Sequence, residues 1–303
     1  MTHDPTRFTH TVASDGPAKG MTFAGQHRLS PAALANRDVP LVVAIHGGGY
    51  TSDYFTVPQH SLLDRAAALD VPVIALDRPG YGGSDAVSTG DSVFLANAEV
   101  LDHLIAELWT EYGAGTAGVF LIGHSFGAVV AMAIAARRPG WPLLGIAVSG
   151  CLVRLPEGFA ANWEQAPEWV PIPPGVKAGL MFGRDWTRRP EMPEAAAFAS
   201  VPVSKAELLE IGTLWEPRLF GEITKDIAVP VHLRHGEYDA LWLSSDDQVA
   251  EFVSALTASP RVDAELFTGA GHAIDFERGS AALQVQQLGF ALDLAARLVR
   301  ENA

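Results

Sequence analysis

Apolar residues along the chain follow two alternating patterns. Short runs rich in Val, Ile and Leu are separated by segments in which apolar residues recur at steps of three and four. The first pattern is typical of strands buried on both faces of a parallel sheet, and the second is typical of helices. We therefore predict an α/β fold in which helices cover both faces of a parallel sheet. The predicted strands are Leu41–Ile45, Val73–Leu76, Val119–Ile122, Gly145–Val148, Val229–Arg234 and Val262–Phe267, and weaker signals before residue 30 add one or two antiparallel edge strands.

Three further segments have the features of amphipathic helices. A stripe of apolar residues begins at Val93 and continues to Leu108, and this helix is expected to end at Gly113. Ser245 and Gln248 have the spacing of a capping box, which predicts that a helix begins there. A last amphipathic helix is expected over about 281–299.

The stretch from Leu152 to Asp226 interrupts the alternation. It contains nine of the 20 prolines and four of the seven tryptophans. Long excursions in compact folds usually serve binding, so we interpret this stretch as a lid inserted between two strands. The chain then divides into a first part of the core (residues 1–151), the lid (152–226) and a second part of the core (227–303). The alternative is that the stretch is an irregular part of the core.

The charge and the cysteine count argue against several classes of protein. The 21 basic and 35 acidic residues give a net charge of −14, which would repel nucleic acid over most of the surface. Cys151 is the single cysteine, so neither an intrachain disulfide nor a cysteine-rich zinc site can form. The amino terminus lacks the apolar core of a secretory signal, and the longest apolar run, Ala128–Ala136, is too short to span a bilayer. We expect a cytoplasmic protein without a nucleic-acid or membrane partner, and the sequence carries no signal of its oligomeric state.

The segment after the third predicted strand has the spacing of a catalytic serine. Gly123-His124-Ser125-Phe126-Gly127 fits the pattern G-x-S-x-G and lies between a buried strand and an apolar helix. The glycines are needed because the sharp turn brings neighbouring backbone close, where larger side chains would clash. Ser125 is therefore predicted to be a nucleophile at the carboxyl edge of the sheet. The alternative is a glycine-rich turn with an ordinary serine.

A serine hydroxyl becomes a good nucleophile when a base removes its proton and an acid orients that base. His272 follows the last predicted strand in a Gly-Ala-Gly-His loop, from which an imidazole can reach the carboxyl edge of the sheet. Asp239 follows the preceding strand, and the resulting order of serine, acid and histidine favours this pair. His235 remains a rival base, and Glu237 remains a rival acid.

The tetrahedral intermediate needs hydrogen-bond donors for its oxyanion. Phe126, directly after the nucleophile, offers one backbone N–H. The run His46-Gly47-Gly48-Gly49 follows the first predicted strand and offers a second donor, from Gly48 or Gly49. The alternative is that these glycines only make a tight turn.

These features together resemble the α/β-hydrolase family, and the likeness covers nearly the whole chain except the lid. Two further marks are residues 77–84, DRPGYGGS, which look like the family's D-x-x-G-x-G-x-S turn, and the HGEYDAL loop around Asp239. The resemblance implies an eight-stranded, mostly parallel sheet with a lid after the sixth strand. Aspartate at the nucleophile position marks the family's dehalogenases and epoxide hydrolases, so Ser125 argues against both. The HGGG run followed by Tyr50 resembles the hormone-sensitive-lipase branch, whereas GHSFG and DRPGYGGS resemble the epoxide-hydrolase-like branch.

The leading functional hypothesis is a serine esterase that cleaves a carboxylic ester or related acyl compound through an acyl-enzyme, without a cofactor. By resemblance, thioesterases, cyclases, acyltransferases, lyases and carbon–carbon bond hydrolases would use the same triad. A non-catalytic ligand receptor is a further class, against which the intact Ser125, Asp239 and His272 argue. No P-loop and no H-E-x-x-H motif occurs, so neither a nucleotide nor a catalytic zinc is indicated.

Aromatic residues predict an apolar substrate pocket. The candidate substrate-binding residues are Tyr50, beside the glycine run, and the four tryptophans of the lid, Trp163, Trp169, Trp186 and Trp215. The alternative is that these tryptophans only anchor the lid to the core.

Overall fold

The strands are those of a computed structural model that describes residues 4–88 and 90–301. In this part of the chain they are β1 (Thr6–Thr11), β2 (Thr22–Arg28), β3 (Leu41–Ile45), β4 (Val73–Leu76), β5 (Val119–His124), β6 (Leu143–Ser149), β7 (Trp169–Val170), β8 (Val203–Ser204), β9 (Val231–Gly236) and β10 (Val262–Phe267). Eight of them form one sheet in the order β1-β2-β4-β3-β5-β6-β9-β10. β2 runs antiparallel to both of its neighbours, and the other pairs in this sheet are parallel. The predicted eight-stranded, mostly parallel sheet is confirmed.

Helices connect most of the strands. They are α1 (Pro31–Leu34), α2 (Leu62–Ala67), α3 (Val93–Leu108), α4 (Phe126–Ala136), α5 (Pro174–Met181), α6 (Met192–Ala195), α7 (Lys205–Thr213), α8 (Phe220–Thr224), α9 (Asp246–Ala255) and α10 (Ser280–Glu301). Short 3₁₀ turns add Ser52–Thr56, Ala160–Trp163, Asp185–Thr187, Ala197–Ala199 and Ile274–Phe276, and π turns follow α3 at Trp109–Gly113 and α7 at Trp215–Leu219. Within the described ranges, no helix has the combined length and apolar content that crossing a membrane requires.

Strand β3 illustrates how the sheet separates two apolar cores. Leu41, Val43 and Ile45 pack on one face with residues of α3, α4 and α9, and Val42 and Ala44 pack on the other face with residues of α2 and α10. All five of these side chains are buried. A strand covered on both faces loses the alternation of polar and apolar residues, which is why it was predicted from a continuous apolar run.

The predicted elements agree closely with the structure. Strands β3, β4 and β10 have the predicted bounds, and the predicted ends of β5, β6 and β9 differ from those observed by at most two residues. Ser245 caps α9 by accepting a hydrogen bond from the N–H of Gln248 at 3.3 Å. In a complete capping box the side-chain oxygen of Gln248 would accept from the N–H of Ser245. Here it accepts instead from the N–H of Arg154 at 3.1 Å.

The stretch between β6 and β9, here called the insertion (residues 150–230), is bound to the rest of the fold by a buried ion pair. Glu207 of α7 pairs with Arg78, which follows β4, and both side chains are almost fully buried. The hydroxyl of Tyr81 donates a further hydrogen bond to the Glu207 carboxylate. This ion pair joins residues 129 positions apart and brings α7 over the turn that follows β4.

A second carboxylate of α7 caps a helix of the core. Glu210 accepts hydrogen bonds from the backbone N–H groups of Val93 and Phe94 and from the hydroxyl of Ser92. The first N–H groups of a helix have no partner within the helix, and a negative charge beside them is also favoured by the helix dipole. The start of α3 is therefore bound directly to the insertion.

We expect loss of the Glu207 carboxylate to destabilise the fold strongly. Glu207→Leu leaves the Arg78 guanidinium buried without its counter-ion, and the free energy of unfolding should fall by about 3–5 kcal/mol. The double variant Arg78→Met/Glu207→Leu removes both charges and should be less destabilised than Glu207→Leu alone. Chemical denaturation of purified protein measures both effects.

The matched control is Glu222→Leu, which changes a half-exposed glutamate of the same insertion at a 3.9 Å ion pair with Arg218. Surface substitutions of this kind should change the free energy of unfolding by about 0.5 kcal/mol or less. An effect of Glu207→Leu as small as that of the control would contradict the prediction.

Candidate active site

Ser125 occupies a strained turn between β5 and α4. Its backbone angles are φ 54° and ψ −121°, which residues with a Cβ adopt only at a cost of about 1–3 kcal/mol. Its N–H donates to the carbonyl oxygen of Ser149 at 2.8 Å, and its carbonyl oxygen accepts from the N–H of Ala128 at 2.8 Å. These bonds to the end of β6 and the first turn of α4 hold the serine at the carboxyl edge of the sheet.

Close backbone contacts explain the glycines around Ser125. A Cβ atom at Gly127 would lie 2.1 Å from the carbonyl oxygen of Ile45, and one at Gly47 would lie 2.9 Å from the Cβ of Ser125. A Cβ at Gly123 would lie 2.5 Å from the carbonyl oxygen of Gly127. The turn after β5 therefore packs directly against the end of β3 and the loop that follows it.

His272 and Asp239 come together at the same edge. The distance from His272 Nδ1 to Asp239 Oδ2 is 2.7 Å, and both side chains are buried. The other oxygen of Asp239 accepts from the N–H of Leu241 at 2.8 Å. Burial would raise the pKa of Asp239, but the neighbouring His272 and these hydrogen bonds hold the pKa below its usual value. The carboxylate is thus ionised and lies against Nδ1 of His272.

The two rival residues occupy different positions. His235 Nε2 lies 3.4 Å from Asp239 Oδ2 and 3.0 Å from the hydroxyl oxygen of Ser244. Burial lowers the pKa of His235 to about 4, so its imidazole is neutral near pH 7. Glu237 accepts a hydrogen bond from the N–H of Gly269 at 2.9 Å and so bonds to the backbone of the loop that carries His272.

His46 fixes the conformation of the glycine loop after β3. Its Nε2 accepts from the backbone N–H of Arg78 at 3.0 Å, so the proton is on Nδ1, which donates to the carbonyl oxygen of Gly47 at 2.8 Å. Burial and the nearby Arg78 charge lower the pKa of His46 well below its usual value. The Arg78 side chain also donates from Nε to the carbonyl oxygen of His46 at 2.8 Å. Arg78 therefore links Glu207 to the glycine loop through hydrogen bonds to His46.

The predicted oxyanion residues lie next to each other beside Ser125. Phe126 is the first residue of α4, where the backbone N–H has no partner within the helix. A Cβ at Gly48 would lie 2.6 Å from the ring of Phe126. Gly49 has a φ of 70°, and its carbonyl oxygen accepts from the N–H of Val201 at 3.0 Å. Phe126, Gly48 and Gly49 all line one cavity with Ser125 and His272.

This cavity, called the catalytic cavity below, has a volume of about 50 Å³. The sheet edge and its loops contribute one wall and the insertion contributes the other. The residues from the core are Gly47, Gly48, Gly49, Tyr50, His124, Ser125, Phe126, Leu241, Trp242 and His272, and those from the insertion are Leu155, Phe159, Trp163, Ile172, Lys177, Leu180, Met181, Val203 and Leu208. Most of these side chains are apolar or aromatic, which is typical of a site for a small organic molecule.

The candidate substrate-binding residues separate into two groups. Tyr50 and Trp163 line the catalytic cavity. The other three tryptophans lie outside its wall. Trp215 is fully buried and donates from Nε1 to the carbonyl oxygen of Leu152 at 2.7 Å. Trp169 and Trp186 are 40% and 59% exposed, with their rings against Tyr81 and Tyr238 respectively.

Two polar residues near the site had no signal in the sequence. Glu277, five positions after His272, is buried and accepts from the N–H groups of Gly271 and Gly183, each at 2.6 Å, and from the hydroxyl of Thr187 at 2.7 Å. It thus joins the loop that carries His272 to the insertion. Lys177 of α5 lines the catalytic cavity itself.

Comparison with known proteins agrees with the fold. Residues 42–283 match the alpha/beta hydrolase family. Over 125 residues the chain is 32% identical to a protein of Escherichia coli O81 (strain ED1a) named "Putative carbamate hydrolase RutD". The matched stretch covers 41% of this chain and 42% of that protein. It is also 27% identical over 123 residues to protein phosphatase methylesterase 1 of Mus musculus, covering 41% of this chain and 29% of that protein. The chain thus matches less than half the length of these relatives.

A solved structure is similar over nearly the full length. An esterase from Thermogutta terrifontis with malate bound superposes with a TM-score of 0.63 at 17% identity, covering 94% of this chain and 98% of that one. At this identity the likeness concerns the fold. Since the family match extends over most of the sequence, from β3 to the start of α10, the chain belongs to the alpha/beta hydrolase family.

Proposed function

We propose that the protein is a serine hydrolase that cleaves a carboxylic ester or a related acyl compound through an acyl-enzyme. The observation that carries the proposal is the 2.7 Å contact between His272 and Asp239 in a site where His272 and Ser125 line the same cavity. A nucleophile, a base and an acid that orients the base are the groups that acyl transfer requires. Membership of the alpha/beta hydrolase family supports this assignment.

In the first half of the proposed reaction, the Oγ of Ser125 attacks the substrate carbonyl carbon while Nε2 of His272 takes the hydroxyl proton. Asp239, hydrogen-bonded to Nδ1, stabilises the imidazolium that results. The backbone N–H groups of Phe126 and of Gly48 or Gly49 stabilise the negative oxygen of the tetrahedral intermediate. The C–O bond to the alcohol then breaks, and the imidazolium returns its proton to the leaving alkoxide.

In the second half, water attacks the Ser125 acyl ester while His272 takes a proton from the water. The tetrahedral intermediate collapses to a carboxylic acid, and the proton passes back to the Oγ of Ser125. The enzyme returns to its starting state, so the cycle consumes one water molecule and needs no other reactant.

Residues 152–226 act as a lid in this proposal. The catalytic cavity of about 50 Å³ is smaller than the roughly 300–1,000 Å³ of most ligand pockets. A bulky ester can therefore bind only if the wall contributed by the lid moves outward. Closure around the substrate would then exclude bulk water during acylation.

We expect a fluorophosphonate probe to label Ser125. The probe reacts with activated serines, so Ser125→Ala should abolish labelling and lower turnover of a 4-nitrophenyl ester by about 10⁴-fold or more, because only the oxyanion donors and substrate positioning remain. Mass spectrometry of the labelled peptide locates the modified residue. Ser149→Ala, which changes a neighbouring serine at the end of β6, is the control. Labelling on another residue would refute the proposed nucleophile.

We expect His272→Ala to lower kcat nearly as much as Ser125→Ala. Asp239→Asn should be milder, at about 10³- to 10⁴-fold, because the amide still holds the ring but favours the wrong tautomer. His235→Ala and Glu237→Gln are the matched controls, and steady-state kinetics on one ester compares all four variants. If His235→Ala proved more damaging than His272→Ala, the base would have to be His235. If Glu237→Gln proved more damaging than Asp239→Asn, the acid would have to be Glu237.

We expect Trp163→Ala to impair turnover of a bulky apolar ester more than turnover of an acetyl ester. Trp163 lines the catalytic cavity, so its ring can contact parts of the substrate remote from the reacting carbonyl, and that binding energy serves to position the carbonyl. The loss in kcat/KM should be about tenfold for the bulky ester, equivalent to about 1.4 kcal/mol. Trp186 lies outside this cavity with a ring that is 59% exposed, so Trp186→Ala should leave kcat/KM for both esters within about twofold of the wild-type values. An equal loss on both esters together with a lower Tm would mean that Trp163 only stabilises the lid.

A further inference from the structure

A single lysine lines the otherwise mostly apolar wall of the catalytic cavity within the described residues. Lys177 projects from α5 of the insertion, and its Nζ donates to the carbonyl oxygen of Gly49 at 2.6 Å. The same Nζ lies 3.7 Å from the centre of the Tyr50 ring, which is a cation–π contact. Both contacts are to the loop that follows β3, close to the predicted oxyanion donors.

The partners of Lys177 leave its positive charge uncompensated. An ammonium group has three N–H donors, of which the Gly49 carbonyl takes one and the Tyr50 ring face a second. Burial lowers the pKa of Lys177 to about 7, and no carboxylate of the described part of the chain raises it again. A partly buried ammonium group without a counter-ion costs free energy, and the negative charge of a bound ligand would offset that cost.

The other titratable groups around the catalytic cavity do not supply that charge. Burial raises the pKa of Tyr50, so its phenol is neutral near pH 7. Burial and the neighbouring histidines lower the pKa of His124 well below its usual value, so its imidazole is neutral as well. His272 is bonded to Asp239 on the opposite wall. With a net charge of −14 over the whole chain, a local cation is the feature that could bind an anion here.

Lys177 also lies at a junction between two cavities. With Tyr50, Ile172 and Met181 it lines both the catalytic cavity and a second cavity of about 130 Å³ under α5 and α6. A substrate group that extends from the reacting carbonyl into the second cavity would pass the ammonium group. The remaining Lys177 N–H can then bond to an oxygen of that group.

We propose that Lys177 binds a carboxylate carried by the substrate, so that the enzyme prefers acyl compounds with an apolar body and one negative charge. This inference rests on the proposed esterase activity and adds the substrate class. A competing structural role would be to hold the Gly49 carbonyl and with it the oxyanion loop. That role would affect charged and uncharged substrates equally, whereas recognition of a carboxylate would not.

The test compares esters that differ only in a carboxylate and a primary amide. One pair carries the difference on the acyl side, as the 4-nitrophenyl monoester of adipic acid and its terminal amide. The other pair carries it on the alcohol side, as 3-carboxyphenyl butyrate and 3-carbamoylphenyl butyrate. For each pair the measured quantity is the ratio of kcat/KM for the carboxylate ester to kcat/KM for the amide ester.

In the wild-type protein this ratio should exceed one for at least one pair. Lys177→Met should lower that ratio by about tenfold or more, whereas Lys177→Arg, which keeps the charge, should retain most of it. Lys225→Met, at an exposed lysine of the same insertion, should leave the ratio unchanged. The contrast between the Met and Arg variants separates the charge from the packing of the side chain.

The ratio should also depend on pH. The Lys177 ammonium is charged below a pKa of about 7 and neutral above it, so the preference for the carboxylate ester should be strongest below pH 7 and decline as the pH rises. Any pH dependence that the two esters of a pair share cancels in the ratio. In Lys177→Met the ratio should not change between pH 6 and pH 9, because both substrates keep their charge over this range.

Two results would overturn the inference while leaving the proposed function intact. One is a ratio that Lys177→Met leaves unchanged in both pairs, including an equal loss on both esters, which would assign Lys177 to the oxyanion loop. The other is labelling of Ser125 by the fluorophosphonate probe without turnover of any of the four esters. Absence of both labelling and turnover would instead refute the proposed hydrolase activity itself.

Discussion

The close packing of two backbone segments at the carboxyl edge of the sheet is the constraint on which the site depends. Gly127, in the first turn of α4, lies so close to the carbonyl oxygen of Ile45 that no side chain fits between them. This contact holds Ser125 at a φ of 54° and brings the loop after β3 against it. Ser125 and the glycine loop are thus positioned together, because the strain in one turn is balanced by the packing of the other.

Buried carboxylates bind the insertion to this edge. Glu207 pairs with Arg78, Glu210 caps α3, and Glu277 joins the loop that carries His272 to the segment around Gly183. Buried ion pairs add little net stability, because desolvation of the two charges offsets their attraction. Their effect here is geometric, since each carboxylate accepts several hydrogen bonds that are satisfied in one arrangement of the insertion. The walls of the catalytic cavity are defined by these polar contacts as well as by apolar packing.

The sequence predicted the elements that leave a local pattern. β3 and β4 were found at their observed bounds because buried strands are continuous apolar runs, and the turn at Ser125 was found because its glycines have a fixed spacing. The Arg78–Glu207 pair joins residues 129 positions apart, so no local pattern indicates it. The four tryptophans of the insertion could not be told apart from the sequence, but the structure places them in different environments. Trp215 packs in the interior, Trp169 and Trp186 are partly exposed, and only Trp163 among these four lines the catalytic cavity.

The choice between His235 and His272 illustrates what chain order can and cannot predict. Both imidazoles approach Asp239, at 3.4 and 2.7 Å, so a rule based on neighbouring the acid does not separate them. The two rings differ in what they contact. His272 lines the cavity beside Ser125, whereas His235 uses its Nε2 toward Ser244 and Asp239. Burial lowers the pKa of His235 to about 4, so its imidazole is neutral near pH 7, and its Nε2 lies nearer to the hydroxyl of Ser244 than to Asp239. In the proposed mechanism, access to the cavity is therefore what separates the two imidazoles, because only a ring that lines the cavity with Ser125 can exchange a proton with that serine.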